Sequence, residues 1–304
     1  MPEWVFSRTL SEGKVIMHTQ QGIKWVQLRF MLPAILFISL VSIYPFISGI
    51  IYSLKDGSLL NAGSFIGFAN FVEIFKMSEF WAAFKFGVIF TICSVLGSYL
   101  LGLFLAVLLN MNIPGRGIFR VALLVPWVIS SVVSMAGWRT IIGDQTGIVN
   151  SVIQSLGFEP ILFLSNEDWA VFSVIMVKIW KSFPFMMVSL LATLQTINHD
   201  LYEAGSIDGA NKWQMFIRIT VPQLKTVTFV CWILMSIWSF NDFDVLWLLT
   251  EGGPLDATQN LIIMSYKYAF IKSSTGMGAA LGILSLIVLL TLALILLRVQ
   301  KKDE

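Results

Sequence analysis

Hydrophobic positions dominate six stretches of the chain, roughly 28–54, 86–109, 121–142, 170–194, 227–249 and 278–297. Each holds the twenty or so apolar residues needed to cross a bilayer. A span must satisfy its backbone polar groups within itself, so each run is predicted to be a helix. No fixed-period repeat or low-complexity tract interrupts the pattern, and residues 1–304 are expected to form one all-α integral membrane domain with six transmembrane helices. The first run follows a polar or mixed N-terminal segment, 1–27, which lacks the pattern of a cleavable signal peptide.

The long polar interruption of the second half, 194–224, reads LQTINHDLYEAGSIDGANKWQMFIRITVPQL. Asp200 with Glu203 three residues on has the spacing of a capping box, which predicts a short helix from 201 to about 207. Gly209 permits a turn. Trp213, Phe216 and Ile217 then recur at helical spacing, giving a second short helix an apolar face, and Pro222 marks the approach to the next span. The connection 110–120 is short, and its proline and glycines predict a turn.

Three other connections are longer. Within 55–84, the stretch FIGFANFVEIF (65–75) suits an interfacial amphipathic helix with Phe71, Phe75 and Trp81 at headgroup depth. The segment 143–169 carries Asp144, Glu159, Glu167 and Asp168 without a basic residue, which fits either contact with an external partner or a solvated acidic loop.

Composition agrees with this layout: 57% of residues are hydrophobic, 12% are charged, and mean hydropathy is +0.80. A soluble domain is excluded. A net charge of +2 with dispersed basic residues gives no basis for nucleic-acid binding. Cys93 and Cys231 fall in separate apolar runs without metal-ligand spacing, and read as small core residues rather than a disulfide. Charge also sets the orientation. Arg8, Lys14, Lys24, Arg29, Arg116, Arg120, Lys212, Arg218, Lys225, Arg298, Lys301 and Lys302 lie on one side, against Lys55, Lys76, Lys85, Arg139, Lys267 and Lys272 on the other. The richer side is the cytoplasmic one, so both termini and the 194–224 loop are expected there.

Charges inside spans need a reason, because each costs about 2.5–3.5 kcal/mol at the bilayer centre. In the fourth run, Lys178, Lys181, Ser182 and Phe185 share one broad helical face, and Pro184 is expected to kink or loosen the helix. In the fifth, Phe240, Asn241 and Asp244 are spaced to share a face. An aromatic ring beside amide and carboxylate groups suits a ligand with hydroxyls around an apolar ring face. A structural alternative is that Asp242 or Asp244 pairs with Lys178 or Lys181 and fixes helix packing. Lys178 could also snorkel from a span end.

The loop resembles the cytoplasmic motif of permease subunits of binding-protein-dependent ABC importers, through Glu203, Ala204, Gly209, Ile219 and Pro222. Gly205 and Val221 depart from that motif. WKSFPFMM (180–187), FDVLWLLTEGGP (243–254), Tyr44–Pro45 and the GMGAA run at 276–280 are similar to segments of carbohydrate-uptake permeases. The resemblance implies a type I importer permease whose coupling helix, with Glu203, Ala204, Asp208, Gly209, Ile219 and Pro222, docks on a cytoplasmic ATPase. It also implies a sugar site midway across the bilayer, drawing on Lys181, Ser182, Phe185, Phe240 and Asn241, to which the helical spacing adds Asp244. A cation at Lys181 would favour an acidic sugar or an organophosphate over a neutral oligosaccharide.

The implied partners are a second homologous permease subunit in a heterodimer, two ATPase subunits and an external solute-binding protein, in the cytoplasmic membrane of a bacterium or archaeon. The chain has no phosphate-binding G-x-x-x-x-G-K-[ST] loop, so ATP and Mg are expected on the partner ATPase, with no cofactor and no metal held here. His18 and His199 are expected at the surface rather than in catalysis. Two other functions remain open: import of a non-sugar solute such as glycerol phosphate, and an integral membrane enzyme using Asp242 and Asp244 as an acid–base pair. Two carboxylates two residues apart on a helix point in different directions, which weighs against the enzyme.

Overall fold

The computed structural model describes residues 4–61, 63–111 and 114–302. The chain divides into two units, Met1–Tyr52 and Ser53–Glu304. The first is occupied by helix α1 (Trp4–Ser53), whose stretch Arg29–Ser53 is long and apolar enough to span a membrane. The polar segment before that stretch is therefore helical from Trp4. Only the backbone is described at Arg8, Lys14, His18 and Lys24 and, at the other end, at Lys301 and Lys302, so the side chains expected to orient the chain lie outside the description.

The second unit begins with α2 (Ala69–Lys76), the interfacial helix expected near Phe65–Phe75. Buried Asn70 ties it down, donating to the carbonyls of Ser53 and Lys55, while Phe75 and Trp81 stay exposed. Two long helices follow at the centre of the unit: α3 (Ser78–Asn110) and α7 (Glu167–Leu194). Along α3, Ser94, Ser98, Gly102 and Ala106 are buried at four-residue spacing. A Cβ at Gly102 would stand 2.7 Å from Met186 Cβ and 2.9 Å from the Met187 nitrogen, so only glycine allows this backbone approach. Small residues do the same between helices in lipid, where side-chain hydrophobicity gives no net attraction.

Between them lie α4 (Arg116–Val128), α5 (Ser131–Ile142) and the short α6 (Ile148–Ser155). The run 121–142, expected to be one straight span, is instead broken at Ile129–Ser130 and bent by 96°. Pro126 removes a helical hydrogen bond just before the break, and Ile129 and Ser130 take up extended backbone. Among the described residues five helical stretches are long and apolar enough to cross a membrane, and six when this bent pair is counted as one. Residues 112–113 of the connection before α4 lie outside the described set.

After α7 come α8 (Asp200–Ile207), α9 (Lys212–Met215), a π-helical turn over Phe216–Thr220, and α10 (Val221–Phe240). A short α11 (Asp244–Thr250), α12 (Leu261–Tyr266) with a second π turn, and α13 (Thr275–Lys302) complete the chain. Pro184 does not interrupt α7. Cys231 is buried as expected, but Cys93 is exposed on α3, and both thiols are free.

The acidic segment 143–169 is not simply a solvated loop. Asp144 accepts from the Leu164 N–H and the Ser165 hydroxyl, closing the loop on itself, while Glu159, Glu167 and Asp168 remain exposed.

Candidate functional site

The face expected on α7 exists. Lys178, Lys181, Ser182 and Phe185 all line one cavity of about 370 Å3, enclosed by α7, the α4/α5 corner and the break between α10 and α11. Their spacing of three, four and seven residues brings them to one side of the helix.

The break has local causes. Helix α10 ends at Phe240, and Asn241 and Asp242 follow, residue types whose short polar side chains compete with helical hydrogen bonds. Asp242 Oδ1 accepts from the Val245 N–H at 2.9 Å and starts α11. Asn260, 1% exposed, donates to the carbonyls of Phe240 and Asp242 and accepts from the Ile263 N–H. A buried side chain from another element therefore supplies the partners that the interrupted helix lacks.

The break overturns one expectation. Asn241 and Asp244 do not share the face of a continuous helix with Phe240, because no helix runs through 241–243. Asn241 and Asp244 nonetheless reach the cavity, exposed and without a side-chain hydrogen bond among the described residues. Phe240 does not. It is 3% exposed in an apolar cluster with Phe80, Leu261 and Met277, and stacks edge-on against Phe84 at 6.5 Å.

Both lysines already have acceptors. Lys178 Nζ lies 2.5 Å from Asp242 Oδ2, with the two side chains 9% and 7% exposed. The packing alternative thus holds for this pair, and Lys178 does not snorkel. Lys181 Nζ donates at 3.2 Å to the carbonyl of Ile129, the group released where α4 stops. A cation at a helix C-terminus is favourable in its own right. Helix α7 thereby holds both broken spans, one through each lysine.

Two aromatic residues in the cavity carry no sequence signal of their own. Trp127 and Trp238 flank Phe185, with ring centroids 6.1 Å and 5.1 Å away. They come from α4 and α10, so only the fold assembles the three. Asn260 and the Ile129 carbonyl were equally invisible, the first because a lone asparagine in an apolar stretch is unremarkable, the second because a carbonyl has no sequence signature.

The polar loop forms a helical hairpin, capped differently from expectation. Helix α8 begins at Asp200 itself, whose N–H donates to the Asn198 side chain, and Glu203 turns to His199 Nδ1 at 3.2 Å. The capping box lies at Asn211 and Gln214, where both reciprocal bonds are present. Gly209 turns the chain at φ +79°, a value that side-chain-bearing residues adopt at a cost. The second helix has only four residues before the π turn carries it into α10.

Glu203, Ala204, Asp208 and Gly209 are exposed on the hairpin and Pro222 is exposed at the start of α10. Ile219 instead faces inward, its Cδ1 3.2 Å from where a Cβ on Gly205 would stand. The Tyr202 hydroxyl reaches Thr220 Oγ1 at 2.9 Å beside it. The glycine that departs from the importer motif thus gives α8 its close seat on the π turn. Ile207, Trp213 and Ile217 stand out as exposed apolar residues of the knob, at 85%, 67% and 47%.

Residues 98–303 match the family described as binding-protein-dependent transport system inner membrane component. This chain belongs to that family. The inner-membrane component is 34% identical over 247 residues to a trehalose/maltose transport system permease protein of Thermococcus litoralis, covering 81% of this chain and 83% of that one. It is 31% identical over 288 residues to a sulfoquinovosyl glycerol transport system permease protein of Agrobacterium fabrum, covering 93% and 92%. Among solved structures, a chain of a bacterial ABC transporter involved in the import of the acidic polysaccharide alginate superposes with a TM-score of 0.83. That match has 24% identity and covers 94% of this chain and 98% of the other. Membership fixes the fold as that of an importer permease with several membrane spans, and makes the chain a transport subunit.

Proposed function

We propose that this chain forms one half of the translocation path of an ATP-driven importer of saccharides. It works with a second homologous permease subunit, two cytoplasmic ATPase subunits that hold ATP and Mg, and an external solute-binding protein. Both termini and the hairpin face the cytoplasm in this reading, as the distribution of Lys and Arg predicts. Named relatives that carry trehalose or maltose and sulfoquinovosyl glycerol support the solute class.

The observation that carries the reading is the cavity beside α7. Three aromatic rings offer apolar faces for a sugar ring, while the Asn241 amide, the Asp244 carboxylate and Ser182 offer hydrogen-bonding groups at their edge. Its formal charges cancel, Lys178 and Lys181 against Asp242 and Asp244. Both cations are engaged, one by a carboxylate and one by a backbone carbonyl. Anionic substrates would find no unengaged cation in this cavity among the described residues, so a neutral, hydroxyl-rich saccharide fits better than an acidic one. An intramembrane acid–base enzyme fits poorly, because Asp242 is committed to Lys178 and to the Val245 N–H.

Movement follows from the same contacts. Helix α7 ends at Leu194, just before α8, and its lysines hold the two broken spans. Displacement of the hairpin by a closing ATPase would therefore reach the cavity through one rigid element, giving alternating access. The exposed Glu203, Ala204, Asp208 and Gly209, with Ile207 and Trp213, form the docking surface, and Pro222 begins the span behind it.

The test is substrate-stimulated ATP turnover of the assembled complex in liposomes with its binding protein, across neutral oligosaccharides, acidic oligosaccharides and glycerol phosphate. Stimulation by a neutral saccharide alone is expected. Stimulation by glycerol phosphate alone would move the substrate out of the sugar class, and silence from an intact complex across the panel would overturn the saccharide reading.

A further inference from the structure

At the end of the molecule that bears the hairpin, a second cavity of about 820 Å3 opens between the end of α3, the start of α4 and the end of α7. Asn110, Arg116, Arg120, Gln195, His199 and Tyr202 contribute its polar groups, and no carboxylate lines it among the described residues. Arg116 and Arg120 are four residues apart on α4 and so project to one side of it. Neither forms an ion pair or hydrogen bond among the described residues, and Arg120 Nε is buried without an acceptor. His199 and Tyr202 have partners already, Glu203 and Thr220. A buried guanidinium N–H with no acceptor is costly, and the planar fork of arginine matches the paired oxygens of a phosphate or a carboxylate, of which the described lining supplies neither.

We propose that this cavity binds a phosphate group, held between Arg116 and Arg120. The headgroup of an anionic phospholipid is the source the surroundings favour. The cavity lies where α3 and α7 end, at Asn110 and Leu194, which is headgroup depth for two long spans. Beside the arginines, Ile118, Phe119 and Val121 are 76%, 55% and 67% exposed and offer an apolar flank for acyl chains. The site joins the start of α4 to the α7–α8 connection at the base of the hairpin, so its occupant would brace the knob against the membrane. The assignment does not depend on the identity of the transported solute.

The assembled complex, reconstituted in nanodiscs of phosphatidylglycerol and phosphatidylcholine and then extracted into detergent, is assayed for co-purifying phospholipid by mass spectrometry. Retained phosphatidylglycerol is expected to exceed its bulk proportion roughly thirtyfold, the order expected of two basic side chains on one anionic headgroup. Arg116→Gln/Arg120→Gln should return the ratio to that of the bulk while the subunits stay together. Displacement of the lipid by millimolar inorganic phosphate, or phosphate binding without lipid enrichment, would assign the same site to a free phosphate compound. A wild-type complex that retains lipid at bulk proportion and binds no phosphate overturns the proposal, and this arm needs no variant. Loss of an ATPase or permease subunit from the double variant would also overturn it, because the arginines would then be subunit contacts.

Discussion

Lys178 of α7 and Asp242, in the break between α10 and α11, form a buried ion pair with Nζ 2.5 Å from Oδ2. Lys181, the other cation of the cavity, is engaged by the Ile129 carbonyl and not by Asp242. Asp242 also holds the Val245 N–H, so the pair fixes both the helix-to-helix contact and the start of α11. Removing one partner leaves a buried charge uncompensated, and Lys178→Met is expected to destabilise the subunit by about 3–5 kcal/mol. The double variant Lys178→Met/Asp242→Leu should recover a large part of that loss in thermal unfolding of the detergent-solubilised complex. A double variant as unstable as the single one would show that the pair is not the origin.

Lys181 acts differently, because its partner is a backbone carbonyl and the side chain is only partly buried. Lys181→Met should cost about 1 kcal/mol of stability, the order of one lost hydrogen bond. Transport should fall much further, since the α4 corner loses its tie to α7. Lys181→Arg keeps a donor and should restore flux; the ratio of transport rate to unfolding temperature across the three proteins decides.

Asp244 has no structural duty among the described residues, so Asp244→Asn should change stability by less than about 0.5 kcal/mol. It leaves the cavity with a surplus positive charge. Turnover stimulated by neutral saccharides should drop, while acidic oligosaccharides should gain relative to them. Unchanged relative turnover would place Asp244 outside the substrate path.

Gly209 sits at φ +79° with open space where a Cβ would stand, so Gly209→Asp costs about 1–2 kcal/mol of local backbone strain without a clash. Glu203→Lys reverses an exposed charge on α8. Both variants should reach the membrane and bind their permease partner, yet co-purify with less ATPase. Normal ATPase recovery and normal substrate-stimulated turnover in both would remove the hairpin from the docking surface.

Gly102 offers a purely structural control. Its Cβ would meet Met186 and the backbone at Met187, so Gly102→Val should destabilise by at least about 1–3 kcal/mol through overpacking of α3 on α7. Gly115, with nothing within 4 Å of its Cβ position but φ +74°, should accept alanine with only the smaller cost of its backbone angle. The comparison separates contact from conformation.

The apolar runs alone determined that this chain is a helical membrane protein, because lipid forces every long apolar segment to satisfy its own backbone. Helical spacing alone placed Lys178, Lys181, Ser182 and Phe185 on one face, since α7 remains regular across them. The glycine turn at Gly209 was legible for a similarly local reason. Where the helices break, the sequence was insufficient. The bend at Ile129–Ser130 and the stop at Phe240 have local triggers in Pro126 and in Asn241 and Asp242, but distant groups, Lys181 for one and Asn260 for the other, satisfy the backbone atoms that each break exposes. The same distance in sequence hid the aromatic wall, since Trp127, Phe185 and Trp238 meet only when three helices pack. Phe240 was misplaced because a helix was assumed to continue through it. Local propensity and periodicity set the elements, while the choice of which charges are paired and which stay free belongs to the packing that desolvates them.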